Sequence, residues 1–339
     1  MLLSIQISYG IISILSVLGN TLVMLVFLNQ RNRFNKSYNI MIFGLAVTDC
    51  MAGIVMFISP KFVFDPPLFE PTNIPGLIAY CHMLWIRMIV FLLGFASTYI
   101  CLLLAFDRWV AVVRPTRYKQ VFTVRKTIVG VFLSYVIALG LVWIAHPGSK
   151  YAPGNPAGKR CIILRAEQDF LAHVRGVLGF LLKSALPFFV ITCLYAHLVY
   201  KLRKSPNLGS EQHSAITRRV TRVAALATTL LIISWSPSQV SFFLSSIGYG
   251  NIRSALHLGL SVLAMLNFCL NPIIYALASK EFRKGYWEVF TKCRCLMGRR
   301  HRVAAREERA GTERSDVGFA EDDGGGLGDR RAAYEDNNV

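Results

Sequence analysis

The sequence predicts an all-α membrane protein: a seven-transmembrane helix bundle followed by a short amphipathic eighth helix. Three observations carry this. The 339 residues are 54% hydrophobic and 17% charged, against about 25% charged in a soluble domain, and the mean hydropathy is +0.45. Seven stretches stay apolar over about 20 residues, the length of a bilayer-crossing helix. The net charge of +18 lies outside those stretches and is uneven. Ten of the 19 acids but six of the 37 basic residues follow residue 300, so residues 1–300 carry +22. Such basicity raises nucleic acid as a partner, but charges flanking membrane helices explain it, and no nucleic-acid partner is expected. Soluble enzymes and disordered adaptors are disfavoured.

The first span, 2–28, has no charged residue before Arg31. It is too long for a signal-peptide core and lacks a basic start. The others are expected at 38–59, 77–110, 127–146, 170–200, 217–247 and 254–277. Lys and Arg in the short connections sort the sides. Fourteen, from Arg31 to Lys36, Arg114 to Lys126 and Lys201 to Arg222, lie on one side, against eight on the other. The richer side is read as cytoplasmic, giving an outside N-terminus, an inside C-terminus and a multi-pass protein of the plasma membrane. The expected organisation is a bundle over 1–278, an amphipathic helix over 279–295 and a disordered tail over 296–339. In the amphipathic part, Phe282, Tyr286 and Val289/Phe290 alternate at helical spacing with Lys280, Arg283 and Lys284, as in a helix lying on lipid. Cys293 and Cys295 follow, either palmitoylated or free thiols.

Ionisable residues inside spans cost about 3 kcal/mol each on insertion scales and mark function. Asp49 is mid-span, with Asn20, Asn267 and Asn271 at similar depth. Two readings stand: oxygen ligands for a small hard cation such as sodium, or a neutral Asp joining helices. Asp107-Arg108-Trp109 ends the third span, where the pair could simply be a snorkelling anchor. Ser234-Trp235-Ser236-Pro237 lies in the sixth span, and Asn271-Pro272-Ile273-Ile274-Tyr275 in the seventh. Pro187, Pro237 and Pro272 each remove a helical hydrogen bond and predict kinks.

In this order on seven spans, Gly19-Asn20, Leu45-x-x-x-Asp49, Asp107-Arg108-Trp109, Pro187 with Tyr195, Trp235-x-Pro237 and Asn271-Pro272-x-x-Tyr275 resemble the rhodopsin-class (class A) G-protein-coupled receptors. The resemblance covers about residues 1–295. It implies a receptor, not an enzyme, that couples an extracellular ligand to a heterotrimeric G protein, with arrestin and membrane lipid as further partners. The implied switch is Asp107, Arg108, Tyr195, Trp235, Pro237, Asn271, Pro272 and Tyr275. The sixth helix swings outward so that Arg108 meets the G protein. Asp49, Ser97, Asn267 and Asn271 would form a sodium pocket, and no other cofactor is implied. Thr217 stands where many members carry an acid that clasps the arginine, so an inter-helix ionic lock is in doubt. Tyr135 replaces the usual tryptophan of the fourth helix. Cys81 and Cys161 are the cysteines on the oxidising side and are expected to form a disulfide. Cys81 precedes Arg108 by 27 residues rather than the family's 25, a difference the loop is expected to absorb.

The ligand is read from what the outer halves of the helices lack and contain. Val90 stands where amine receptors have an aspartate and Met265 where opsins have the retinal lysine, which argues against both ligands. Lys183 shares a stripe with Gly176, Gly179 and Pro187, and Arg87 shares one with Val90, Gly94 and Ser97. Either the two cations face the cavity and meet an anionic group, or Arg87 snorkels outward and Lys183 pairs with a backbone carbonyl. Phe91, Ser238, Gln239, Phe242 and Ser261 complete the expected cavity, for a peptide first and an acidic small molecule second. A light- or lipid-responsive receptor of the same fold is the alternative. A channel or transporter would show paired helix interruptions or inverted repeats, and none is visible. Ser205, Ser210 and Ser214, rather than Thr312 and Ser315 of the tail, are the expected phosphorylation sites for arrestin. His173 and His257 lie near the outer face.

Overall fold

The computed structural model describes residues 2–64, 68, 70–85, 87–145, 149–152, 161–163, 170–204 and 211–292. Residues 1–289 make one compact unit. Cys293, Cys295, Ser205, Ser210, Thr312 and Ser315 lie outside the described residues, as do the side chains of Ser214 and Thr217.

Seven helices are long and apolar enough to cross a membrane: α1 (Leu2–Asn29), α2 (Ser37–Ile58), the split third helix ending in α4 (Met88–Val113), α6 (Val124–Ala145), the pair α7 (Phe170–Phe180) and α8 (Leu186–Lys204), α9 (Glu211–Ser246) and α10 (Ala255–Ala278). Two further short helices are α3 (Ile74–Tyr80) and α5 (Pro115–Val121). The helices bury polar and apolar residues together at their centres and turn Leu, Ile and Val outward. Trp143, Phe132 and Leu18 are among many large apolar side chains left exposed, which suits a lipid-facing surface and would be a liability in water.

The third helix departs from the sequence expectation of one continuous segment over 77–110. After α3, residues Cys81–Trp85 form a π-turn, and Arg87 adopts a left-handed backbone (φ 63°) before α4 begins. A π-turn inserts extra residues without breaking hydrogen bonding. The two additional residues between Cys81 and Arg108 fall where the helix is interrupted, at the π-turn and the left-handed Arg87. Cys81 still reaches Cys161 in a disulfide (Cα–Cα 5.4 Å). That bond holds an antiparallel hairpin, β1 (Ser149–Tyr151) and β2 (Cys161–Ile163), in which Tyr151 opposes Cys161. The bond packs with Tyr80, Leu84, Trp85 and Tyr151.

A second π-turn, Leu181–Ala185, joins α7 to α8 immediately before Pro187, where proline cannot donate a backbone hydrogen bond. Pro237 and Pro272 lie inside continuous helices α9 and α10. Gly19 allows close approach of α10, since a Cβ there would stand 3.0 Å from the Pro272 ring.

Residues 280–289 are helical. Their apolar stripe is not laid on lipid as expected: Phe282, Tyr286 and Val289 are buried against Val26, Phe27 and Tyr275. The Tyr286 hydroxyl donates to the Pro272 carbonyl (3.1 Å), and Gly285 sits against Val26. Trp287 and Phe290 are the large apolar side chains of this segment left exposed.

Candidate functional site

Four groups of residues follow one another through the bundle. At the end of α4 next to α5, Asp107 is fully buried and Arg108 nearly so. The Arg108 guanidinium donates twice to Asp107 Oδ2, through Nε at 2.7 Å and through Nη2. Tyr118 of α5 donates to Asp107 Oδ1 (2.9 Å) and accepts from Arg108 (3.2 Å). Burial first, and then the Asp107 carboxylate, raise the Tyr118 phenol above its ordinary range, so it remains a proton donor. The Arg108 guanidinium also lies over the Tyr38 ring at 4.7 Å. This is a closed, charge-assisted network and not the snorkelling anchor that sequence alone left open. Tyr118 and Tyr38 were not legible as members, because the aromatic residue of a short connecting helix has no positional signal toward its neighbour in the bundle.

Arg108 has no acidic partner on α9 among the described residues. That helix is tied elsewhere: Arg219 donates to the Ser279 hydroxyl (2.9 Å) and pairs with Glu281 (3.3 Å). Ser279 lies just past the end of α10 and is buried.

Mid-membrane, Asp49 is fully buried. Asn271 donates to its Oδ2 (2.7 Å) and Ser97 to its Oδ1 (3.4 Å). Ser16 donates to the Asp49 and Phe268 carbonyls (2.7 and 3.1 Å), and Asn20 to the Ser16 and Phe268 carbonyls (2.9 and 2.8 Å). These bonds fasten α1, α2 and α10 together. Asn267 is buried, and its amide nitrogen has no hydrogen-bond partner on the protein. With only a long hydrogen bond on Oδ1, the Asp49 carboxylate keeps oxygen lone pairs for a hard cation, so its oxygens fit sodium. Tyr135, the residue in place of tryptophan, donates to or accepts from Thr48 at 2.5 Å, a polar tie between α2 and α6.

The aromatic and tyrosine members of the expected switch flank the Asp49 level. Trp235 packs edge-on against Phe95 (5.7 Å) and Phe268 (6.2 Å). A Cβ at Gly94 would collide with the Trp235 indole, so this glycine lets α4 meet the ring directly. The Trp235 indole nitrogen and the Tyr195 and Tyr275 hydroxyls are buried without a hydrogen-bond partner. Tyr195 lies beside Thr228 outside bonding geometry, and the Thr228 hydroxyl is already directed at the Ala224 and Ala225 carbonyls (2.9 and 3.1 Å).

Toward the Met88 end of α4, Lys183 is 7% exposed. Its ammonium lies 5.3 Å from the Phe95 ring centre and 6.0 Å from that of Phe242, so it faces the bundle between α4 and α9 as its glycine stripe implied. Phe91 stacks on Phe95 (6.5 Å). Phe95 was missed in the sequence; its i, i+4 relation to Phe91 was the available signal. Arg87 does not join them. The break before α4 turns it to the Lys61 carbonyl (2.9 Å) and over the Phe62 ring (4.2 Å). The stripe expected with Val90, Gly94 and Ser97 assumed a continuous helix. Val90, Met265, Ser238 and Gln239 are buried, while the Ser261 hydroxyl is directed to the His257 carbonyl (2.8 Å). His257 itself bonds Ser241 (2.9 Å).

Comparison with known proteins adds to this geometry. The family described as 7 transmembrane receptor (rhodopsin family) matches residues 19–275. The Allatostatin-A receptor of Bombyx mori is 26% identical, covering 84% of this chain and 79% of that one. The Somatostatin receptor type 4 of Rattus norvegicus is 26% identical (87% and 75%), and the human Histamine H2 receptor 25% identical (92% and 86%).

Proposed function

Because the chain belongs to the rhodopsin family of seven-transmembrane receptors, which are not enzymes, we propose that it converts binding of an extracellular peptide or anionic small molecule into activation of a heterotrimeric G protein. The observation that carries this reading is the condition of the switch residues. Arg108 is closed onto Asp107 and Tyr118, while Trp235, Tyr195 and Tyr275 bury polar atoms without partners. A buried unpaired donor costs about 1–3 kcal/mol, so an arrangement that frees Arg108 and lets the tyrosines find partners competes closely with the closed one. Two packings of similar energy are what a ligand can bias. Relatives named for allatostatin-A and somatostatin support an extracellular chemical messenger over light, and Val90 in place of an acid argues against an amine despite the histamine relative. The orientation supported by the basic connections and by the Cys81–Cys161 disulfide puts the N-terminus outside. Arrestin and anionic lipid are proposed as partners of the basic cytoplasmic side.

The test is nucleotide exchange on purified heterotrimers of several subtypes, driven by the full chain in nanodiscs. Exchange above that of empty nanodiscs with at least one subtype is expected.

Sodium is assigned to Asp49, Ser97, Asn267 and Asn271, where it would neutralise the buried carboxylate and hold the closed packing. Replacing sodium by choline at constant ionic strength should raise basal exchange about fivefold, a coupling near 1 kcal/mol. In Asp49→Asn the response should be flat. A wild-type-like sodium response in that variant would remove the assignment.

The Arg219 tie is read as a restraint on outward movement of α9. Arg219 is 31% and Glu281 60% exposed, so the ion pair is worth under about 1 kcal/mol. Arg219→Ala should therefore raise basal exchange only about two- to fivefold, and no rise at equal protein level would discount the tie.

A further inference from the structure

Lys183 is the one described cation inside the outer half of the bundle, and its surroundings specify a ligand group. It is nine-tenths buried, held inward by the π-turn Leu181–Ala185. Its only recorded neighbours of opposite electrostatic sign are the faces of Phe95 and Phe242. Acidic residues are no help: among the described side chains, Asp49 is bonded to Asn271 and Ser97, Asp107 to Arg108, Glu281 to Arg219 and Glu288 to Gln30 (2.8 Å), while Glu70 is exposed and acts on Tyr80. A ring face compensates a desolvated ammonium by about 0.5–2 kcal/mol, well short of what an anion supplies. A primary ammonium with three donors and an apolar floor suits a carboxylate carried on an apolar or aromatic body.

Resting on the receptor reading above, we propose that the agonist presents a carboxylate to Lys183, and that this contact is passed to Trp235 through Phe95. Phe95 touches both partners: the ammonium sits over its ring and the Trp235 indole meets it edge-on. Drawing the ammonium toward an anion removes the cation from the Phe95 face. That ring can then reorient against the indole, which Gly94 leaves in direct contact with the α4 backbone. No covalent step is involved. The carboxylate belongs either to a peptide terminus or to a small organic acid, and the probes separate these.

The experiment uses the purified full chain in nanodiscs and reads its melting midpoint against 3-phenylpropanoate, hexanoate and the dipeptide Phe-Phe, each paired with its primary amide. Acids should stabilise the wild type and amides should not. Lys183→Met should weaken the apparent affinity about 30-fold, the low range for truncating one partner of a buried charge pair, and Lys183→Arg should keep part of it. Stabilisation by the organic acids alone identifies a small acid, and by Phe-Phe alone a peptide terminus. Equal stabilisation by acid and amide, unchanged affinity in Lys183→Met, or no stabilisation by any probe would overturn the proposal. Removing the buried lysine relieves desolvation, and a normal melting midpoint without probe verifies the fold of the variant. The two readings fail separately. Exchange on G protein without acid binding leaves the receptor and removes the anchor; acid binding through Lys183 with no exchange by any variant does the reverse.

Discussion

Asp107→Asn is expected to raise ligand-independent G-protein activation about tenfold. The substitution keeps the shape of the side chain and removes its charge. In the closed network, one carboxylate oxygen takes both guanidinium bonds and the other takes the Tyr118 hydroxyl. Hydrogen bonds to charged groups contribute about 1.5–3 kcal/mol and neutral ones about 1 kcal/mol, so neutralisation costs the closed packing at least about 1.4 kcal/mol, a factor of ten in the equilibrium. Arg108 is 4% exposed, and leaving it buried beside a neutral amide penalises that packing further. The Tyr38 ring remains beneath the guanidinium, which keeps the shift from running to completion. Exchange assays at matched receptor density measure this. A basal rate equal to wild type would show that the pair does not set the equilibrium.

Cys81→Ser with Cys161→Ser is expected to remove most correctly folded protein from the cell surface. The bond spans 80 residues of sequence. Chain-entropy reasoning gives about 4.5 kcal/mol for such a loop, an upper bound because helices inside it are already ordered by the membrane. Locally, the bond joins the π-turn at Cys81–Trp85 to the hairpin residue opposite Tyr151, and it packs with Tyr80 and Trp85. Without it, few contacts hold β1 and β2 on α3. Replacing both cysteines avoids mispairing by the survivor. Surface staining relative to total protein, and a melting midpoint lowered by several degrees, check the expectation. Unchanged values for both would mean the outer cap is held by packing alone.

The seven spans were legible because a bilayer imposes a length and a composition that no loop shares. Lys183 was legible for a related reason: a cation among large apolar residues must take the face its small neighbours leave open. The misreadings at the outer end of the third helix share a cause, since they assumed regular helix geometry. The 27 residues between Cys81 and Arg108 were a visible sign of irregularity, but spacing does not say whether a loop or a π-turn absorbs it. That choice decided the direction of Arg87, which the left-handed backbone turns to Lys61 and Phe62. Tyr118, Tyr38 and Phe95 entered the site through tertiary contact alone. The stripe of Phe282, Tyr286 and Val289 was read with the right period and the wrong partner, because an apolar face suits lipid and the flank of α1 and α10 equally well.

The most direct measurement compares nucleotide exchange on heterotrimeric G proteins by the full chain in nanodiscs, without ligand, for the wild type, Asp107→Asn, Arg108→Ala and the double variant. Exchange should rise about tenfold in Asp107→Asn and fall to the level of empty nanodiscs in both variants lacking Arg108. Well-folded Asp107→Asn that drives no exchange on any subtype, or a double variant as active as Asp107→Asn, would contradict a receptor switched through this pair.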